Sequence, residues 1–189
     1  MNIKTIGFLT LFLLIQNLGL RAQEVGDNRA SALYFEGFGN NLYYGLFYDS
    51  RFQNRSKGLG GCIGFGAFQR ILNEADWGPN GSDFSIKTIN SNFYSSTLMI
   101  NYLWGKGPHS LEAGAGVVLY SARNFGYGFV RGDEEQFSSA FGTMSMMYRL
   151  HLPKSIFLRV GWAPFFGMAN DGFVFIPYQF GFGLGYAFR

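Results

Sequence analysis

Cysteine is all but absent from this sequence, since its 189 residues include one, Cys62. A single thiol excludes an intramolecular disulfide and is too few for a cysteine-based zinc site. Charge is scarce as well. Asp, Glu, Lys and Arg together make up 14% of the chain, against roughly 25% in an ordinary soluble domain, so little charge is available to cover a water-facing surface. Histidine is limited to His109 and His151. Beyond the first two dozen residues no long apolar run occurs, which excludes a membrane-crossing helix in the body of the chain.

Aromatic residues and glycine are plentiful instead: 22 Phe, 11 Tyr and 27 Gly, with 48% of the chain hydrophobic. No composition shift marks a second domain. The first residues have the layout of a secretory signal peptide: Lys4 supplies the basic start, Ile6 to Leu20 is mostly apolar, and Ala22 is the small residue before the cut. Gln16 and Asn17 interrupt the apolar stretch, leaving it short of the ~20 residues of a spanning helix. Residues 1–22 are therefore read as a signal peptide and 23–189 as the mature domain. Two of the 15 basic residues, Lys4 and Arg21, go with the leader, which leaves 13 against 12 acidic ones. A near-neutral chain indicates no nucleic-acid partner.

The mature chain alternates with a period of two in segments of about ten residues, the signature of barrel strands. From Tyr178 to Phe188 the even positions are Tyr178, Phe180, Phe182, Leu184, Tyr186 and Phe188, and the odd ones Gln179, Gly181, Gly183, Gly185 and Ala187. Ile156, Leu158, Val160 and Trp162 oppose Phe157, Arg159, Gly161 and Ala163. Leu111 to Leu119 and Leu42 to Tyr48 divide the same way, with Glu112 and Asp49 on the minor faces. Further strands are expected at Ala32 to Gly39, Leu59 to Phe68, Phe93 to Trp104 and Ser138 to Leu150. Eight strands of ~10 residues plus links suit residues 23–189, whereas a sixteen-strand porin would need far more.

Links also alternate in length. Short turns are expected at Gln53 to Gly58, Gly105 to His109 and His151 to Ser155, and longer links at Gln69 to Asn92, Ser121 to Phe137 and Gly167 to Pro177. Only the link around Asn40 and Asn41 breaks the order. Short periplasmic turns, long external loops and both termini inside are the plan of an outer-membrane barrel.

A soluble barrel would need a charged outer face, typically ~25–35% charged, and neither face here supplies one. Turned inward, the small face with its isolated charges fills an eight-strand lumen. Parity places Glu36, Asp49 and Glu112 there with Arg51, Arg149 and Arg159, three acids with three bases forming a lumen charge network. Arg159 on the lipid face would cost ~2–4 kcal/mol at mid-bilayer. Tyr102, Trp104, Tyr148, Tyr186 and Phe188 fall where a periplasmic aromatic girdle belongs.

The segments Asn101-Tyr102-Leu103-Trp104-Gly105-Lys106-Gly107, Leu111-Glu112-Ala113-Gly114-Ala115-Gly116, Phe157-Leu158-Arg159-Val160-Gly161-Trp162-Ala163-Pro164 and Gly183-Leu184-Gly185-Tyr186-Ala187-Phe188 resemble those of small, mostly uncharacterised outer-membrane β-barrel proteins of Bacteroidetes. The resemblance covers roughly the second half of the chain. It implies a barrel and a closing aromatic strand, with Tyr186 and Phe188 as the signal for the insertion machinery, although Arg189 follows the final aromatic. It implies no substrate.

Catalytic chemistry finds little support. Lipid-modifying barrel enzymes use a His base at the external rim, and both histidines fall in expected periplasmic turns. A nucleophile without a positioned base lacks its activation. Gly181-Phe182-Gly183-Leu184-Gly185 lacks the Lys-Ser/Thr of a phosphate loop. Glu74, Asp76 and Asp83, like Gly132-Asp133-Glu134-Glu135, lack the ligand order of a calcium loop. No cofactor or metal is expected. The external links carry exposed aromatics and turns, with Trp77, Asn80, Phe125, Tyr127 and Phe129 as contact candidates for a glycan, lipopolysaccharide or protein.

The expectation is thus an all-β, transmembrane, antiparallel up-and-down barrel of about eight strands, monomeric, bedded in outer-membrane lipid after export. Its lumen is expected to be closed, with a structural or surface-binding role through the external loops. The alternatives are a narrow channel for small solutes and, third, a lipid-modifying barrel enzyme.

Overall fold

A computed structural model describes residues 29–41, 43–53, 55–77, 84–123, 136–169 and 172–188. The expected signal peptide, and Asn80, Phe125, Tyr127 and Phe129, lie outside the described residues.

Ten antiparallel segments form one sheet: β1 Ser31–Gly37, β2 Tyr44–Arg51, β3 Gly58–Trp77, β4 Phe84–Trp104, β5 His109–Arg123, β6 Gln136–His151, β7 Ile156–Trp162, β8 Phe165–Ala169, β9 Gly172–Ile176 and β10 Phe180–Phe188. Each of β1 to β6 pairs with the next, β10 pairs with both β7 and β1, and the ring closes. The wall has eight strands because β8 prolongs β7 and β9 leads into β10. Within the ring each wall strand is paired on both sides, so its backbone is satisfied there within the protein.

Two prolines mark the bends in the longer strands. Proline lacks an N–H and interrupts a ladder, yet the β6 register stays in phase across Ala163 and Pro164, from Met146 opposite Trp162 to Thr143 opposite Phe165. On the other side Trp162 faces Phe180 and Phe165 faces Ile176, so residues 177–179 hold one extra residue, a bulge that bends the strand. Ala163 N–H donates to Gln179 O at 2.9 Å across it.

Alternation drives the wall. Leu33, Phe35, Leu46, Ile63, Leu98, Ile100, Val117, Met144, Leu158, Val160 and Leu184 face outward and are exposed, while Glu36, Asp49, Glu112, Arg149 and Arg159 face inward and are buried. The interior is small because residues from all sides must share it. Gly185 lies in register between Tyr34 and Phe157, and a Cβ on it would come within 2.5 Å of Tyr34 Cβ. Gly185 is thus the space into which the Tyr34 and Phe157 side chains of the adjacent strands fit.

Two expected loops are strands instead. The link Gln69 to Asn92 is mostly a ribbon, with β3 and β4 paired in continuous register out to Trp77 opposite Phe84. Trp77, a loop candidate, therefore ends a strand. Gly78-Pro79-Asn80-Gly81 is the only Gly or Pro cluster in the segment. A ribbon above a membrane needs no lipid face, so it lacks the alternation from which the other strands are legible. The link Gly167 to Pro177 is likewise a hairpin of β8 and β9, with Phe166 opposite Phe175.

The short turns are as expected, and they gather with both ends of the barrel chain at one mouth. Gly107 adopts φ 59° and Lys154 φ 62° in two of them, left-handed conformations that close tight turns. Tyr48, Tyr102, Trp104 and Tyr186 face outward near this mouth. Tyr102 lies 6.1 Å from Trp104, Tyr48 6.3 Å from Phe188 and Tyr186 6.5 Å from Phe188, ring to ring.

Candidate functional site: the filled lumen

β2 and β6 stand opposite each other in the ring, and their inward charges meet. Arg149 Nη2 reaches Asp49 Oδ2 at 2.6 Å, and its Nε donates to Glu112 Oε2 at 2.5 Å. Asp49 also pairs with Arg51. Arg159 joins Glu112 Oε1 at 2.9 Å and pairs with Glu36 through its other terminal nitrogen. The chain Arg51–Asp49–Arg149–Glu112–Arg159–Glu36 is thus continuous, with the six side chains nearly solvent-free. All six residues assigned to the lumen by parity lie in one network of three acids and three bases.

Local register explains the pairing. Gly183 sits between Glu36 and Arg159 on its two neighbours, so no side chain on β10 separates carboxylate from guanidinium. Arg51, at the end of β2, also donates to Gly58 O at 3.0 Å. A buried charge without a partner is costly, and here each finds at least one opposite charge.

Several members were not assigned from the sequence. Asn101 receives Arg51 Nη2 on its Oδ1 at 2.7 Å, and donates through Nδ2 to Glu112 Oε1 at 3.1 Å. Its odd position on β4 gives it lumen parity, a signal within reach of the sequence. Tyr34, Phe47 and Phe157 form an aromatic layer against the charges, with Tyr34 and Phe47 stacked at 5.0 Å. Arg159 lies 4.9 Å over the Tyr34 ring and Arg149 5.0 Å over that of Phe157, contacts that favour cations on ring faces. Tyr34 Oη and Cys62 Sγ are 3.2 Å apart, which places Cys62 inside the lumen as a small buried residue.

At the opposite mouth the link after β1 turns inward. Phe38 takes φ 62°, and Asn40 N–H donates to Glu36 Oε1 at 2.5 Å. Asn40 and Asn41 are buried, and Thr97 Oγ1 donates to Asn41 Oδ1 at 2.7 Å. The shortness of this link, anomalous against the alternation of lengths, goes with its place as a cap over the network.

The histidines stand at the turn mouth. His109 Nδ1 lies 2.5 Å from Tyr148 Oη, and His151 is buried at the end of β6. Among the described residues no group of three His, Cys, Asp or Glu could hold a metal. Tyr186 is outward on β10, with Phe188 at the strand's end.

Fold and site together define a closed eight-strand antiparallel barrel with a packed, ion-paired interior. The fold is similar to the N-terminal β-barrel domain of Pseudomonas aeruginosa OprF, at TM-score 0.56 and 12% identity over 85% of this chain and 98% of that one. Ail, the attachment invasion locus protein of Yersinia pestis, solved with the heparin analogue sucrose octasulfate, gives TM-score 0.47 and 16% identity over 84% of this chain and 94% of that one. Neisserial surface protein A gives 0.46 and 12% over 84% and 93%. No family model matches the chain, and no curated protein matches its sequence.

Proposed function

We propose that the chain is an integral outer-membrane barrel whose body is a rigid, closed support and whose task is carried by contacts at the loop mouth. The observation behind the membrane reading is the outer wall: exposed large apolar side chains on every wall strand, with the network charges turned inside. On a soluble protein so extensive an apolar surface would drive association, whereas lipid accepts it.

The closed-lumen reading is supported by Arg149 and Asp49, which bridge opposite strands, and by the aromatic layer and inward link packed beside them. Charged side chains engaged with one another leave no continuous water column. The protein on this reading has no catalytic step and no cofactor. Export by a cleaved leader, insertion guided by Tyr186 and Phe188, a monomeric state and an external glycan, lipopolysaccharide or protein ligand belong to the same proposal. Kinship with Bacteroidetes barrels rests on the sequence segments around Tyr102, Glu112, Arg159 and Tyr186 alone.

Expression with a tag between Gly78 and Gly81 tests membrane and orientation at once. The protein is expected in the outer-membrane fraction as a heat-modifiable band, with the tag accessible on intact cells. A soluble or inner-membrane location, or a tag reached only after envelope rupture, would refute the proposal.

A further inference from the structure

The barrel wall is uneven. β2 pairs with β3 only as far as Leu46 opposite Phe65, while β3 runs on to Trp77, so a notch opens beside β3 where β2 has ended and the inward link begins. Behind it lies a partly open cavity of about 210 Å³ bordered by Asn41, Tyr43, Phe68, Phe93, Tyr120 and Phe141.

We infer that this notch is a binding site for a small neutral aromatic compound carrying one hydrogen-bond acceptor. The walls argue for a ring. Phe68 and Phe93 stack at 4.4 Å and 12°, and Tyr43 lies 3.8 Å from Phe68. On the far side Tyr120 meets Phe141 edge-on at 5.7 Å. Flat faces and ring edges on either side suit a flat guest. Size argues for one or two rings, since an apolar cavity of ~150 Å³ already admits benzene.

Charge and hydrogen bonding narrow the class. No charged side chain is among the described lining residues, and the lumen charges below are matched with one another, so the guest is neutral. Two buried polar atoms of the lining residues have no partner among the described residues: Asn41 Nδ2 and Tyr120 Oη. The Asn41 amide is oriented by Thr97, which donates to its Oδ1 at 2.7 Å, so the nitrogen is the donor left without a partner. Tyr120 supplies a second donor, its O–H. Small-molecule sites combine apolar walls with a few such placed polar groups, and two donors select an acceptor such as a carbonyl. The site is distinct from contacts of the external loops, and its occupation does not depend on whether the lumen conducts.

The test uses the folded barrel in phosphatidylcholine nanodiscs, with empty nanodiscs as the partition control. Coumarin, two fused rings with a lactone carbonyl, is titrated beside naphthalene, which has the rings and no acceptor. Saturable binding of one coumarin per barrel is expected. Tyr120→Phe keeps the ring and removes the donor, and is expected to weaken coumarin about five- to tenfold, the worth of one hydrogen bond, while leaving naphthalene within about twofold. Ala122→Trp, which fills the cavity from the buried Ala122, is expected to abolish both. Uptake no greater than in empty nanodiscs, or a Tyr120→Phe barrel that binds coumarin as tightly as the parent, would overturn the inference. If Ala122→Trp does not give a heat-modifiable band, the coumarin-to-naphthalene ratio of Tyr120→Phe decides alone.

Discussion

Arg149 on β6 and Asp49 on β2 meet across the barrel, Nη2 to Oδ2 at 2.6 Å, and Arg149 bridges from there to Glu112. Asp49→Ala would leave Arg51 and Arg149 facing each other with one counter-ion fewer. Removing one partner of a buried pair costs about 3–5 kcal/mol, and a loss of that order is expected in urea unfolding of the lipid-refolded protein. Arg149→Lys keeps the charge but is also expected to destabilise, because one ammonium cannot serve two carboxylates as a guanidinium fork does.

Gly185 occupies the space between Tyr34 and Phe157. Gly185→Val is expected to prevent barrel formation, seen as loss of the heat-modifiable band, because its Cβ would meet Tyr34 Cβ at 2.5 Å. Ala115→Val, on the exposed outer face of β5, is expected to fold normally.

Much of this geometry was legible in the sequence. A period of two specifies which side of a wall each residue takes, so Glu36, Asp49, Arg51, Glu112, Arg149 and Arg159 could be placed in the lumen without knowing which would touch. Asn101 was equally readable by parity, but an uncharged side chain gives no energetic alarm. The ribbon beyond Phe68 was hidden because, away from lipid, a paired strand is free to be polar on both faces. The inward fold of Asn40 and Asn41 was hidden for another reason: it depends on Glu36 and Thr97, partners brought together only by closure of the ring.

Leu184 faces outward in the middle of β10, flanked in register by Phe35 and Leu158. Leu184→Arg is expected to cost ~2–4 kcal/mol in lipid, the midplane value for arginine. Phe173→Arg, exposed on the β9 hairpin beyond the wall strands, is expected to cost under ~1 kcal/mol. Equal costs in urea titrations would contradict the placement of the apolar belt.

Cys62 is buried beside Tyr34. Maleimide is expected to leave it unmodified in the folded barrel and to label it fully in urea. Rapid labelling of the folded state would show that reagents reach the middle of the lumen.

The closed lumen is tested most directly by single-channel conductance of the refolded protein in planar bilayers, after a gel shift has shown that the barrel is formed. A silent bilayer is the expected result, because the network from Arg51 to Glu36 and the aromatic layer beside it occupy the lumen. A steady unitary conductance from the folded barrel would contradict the closed body and make Arg149 and Asp49 part of a path for ions.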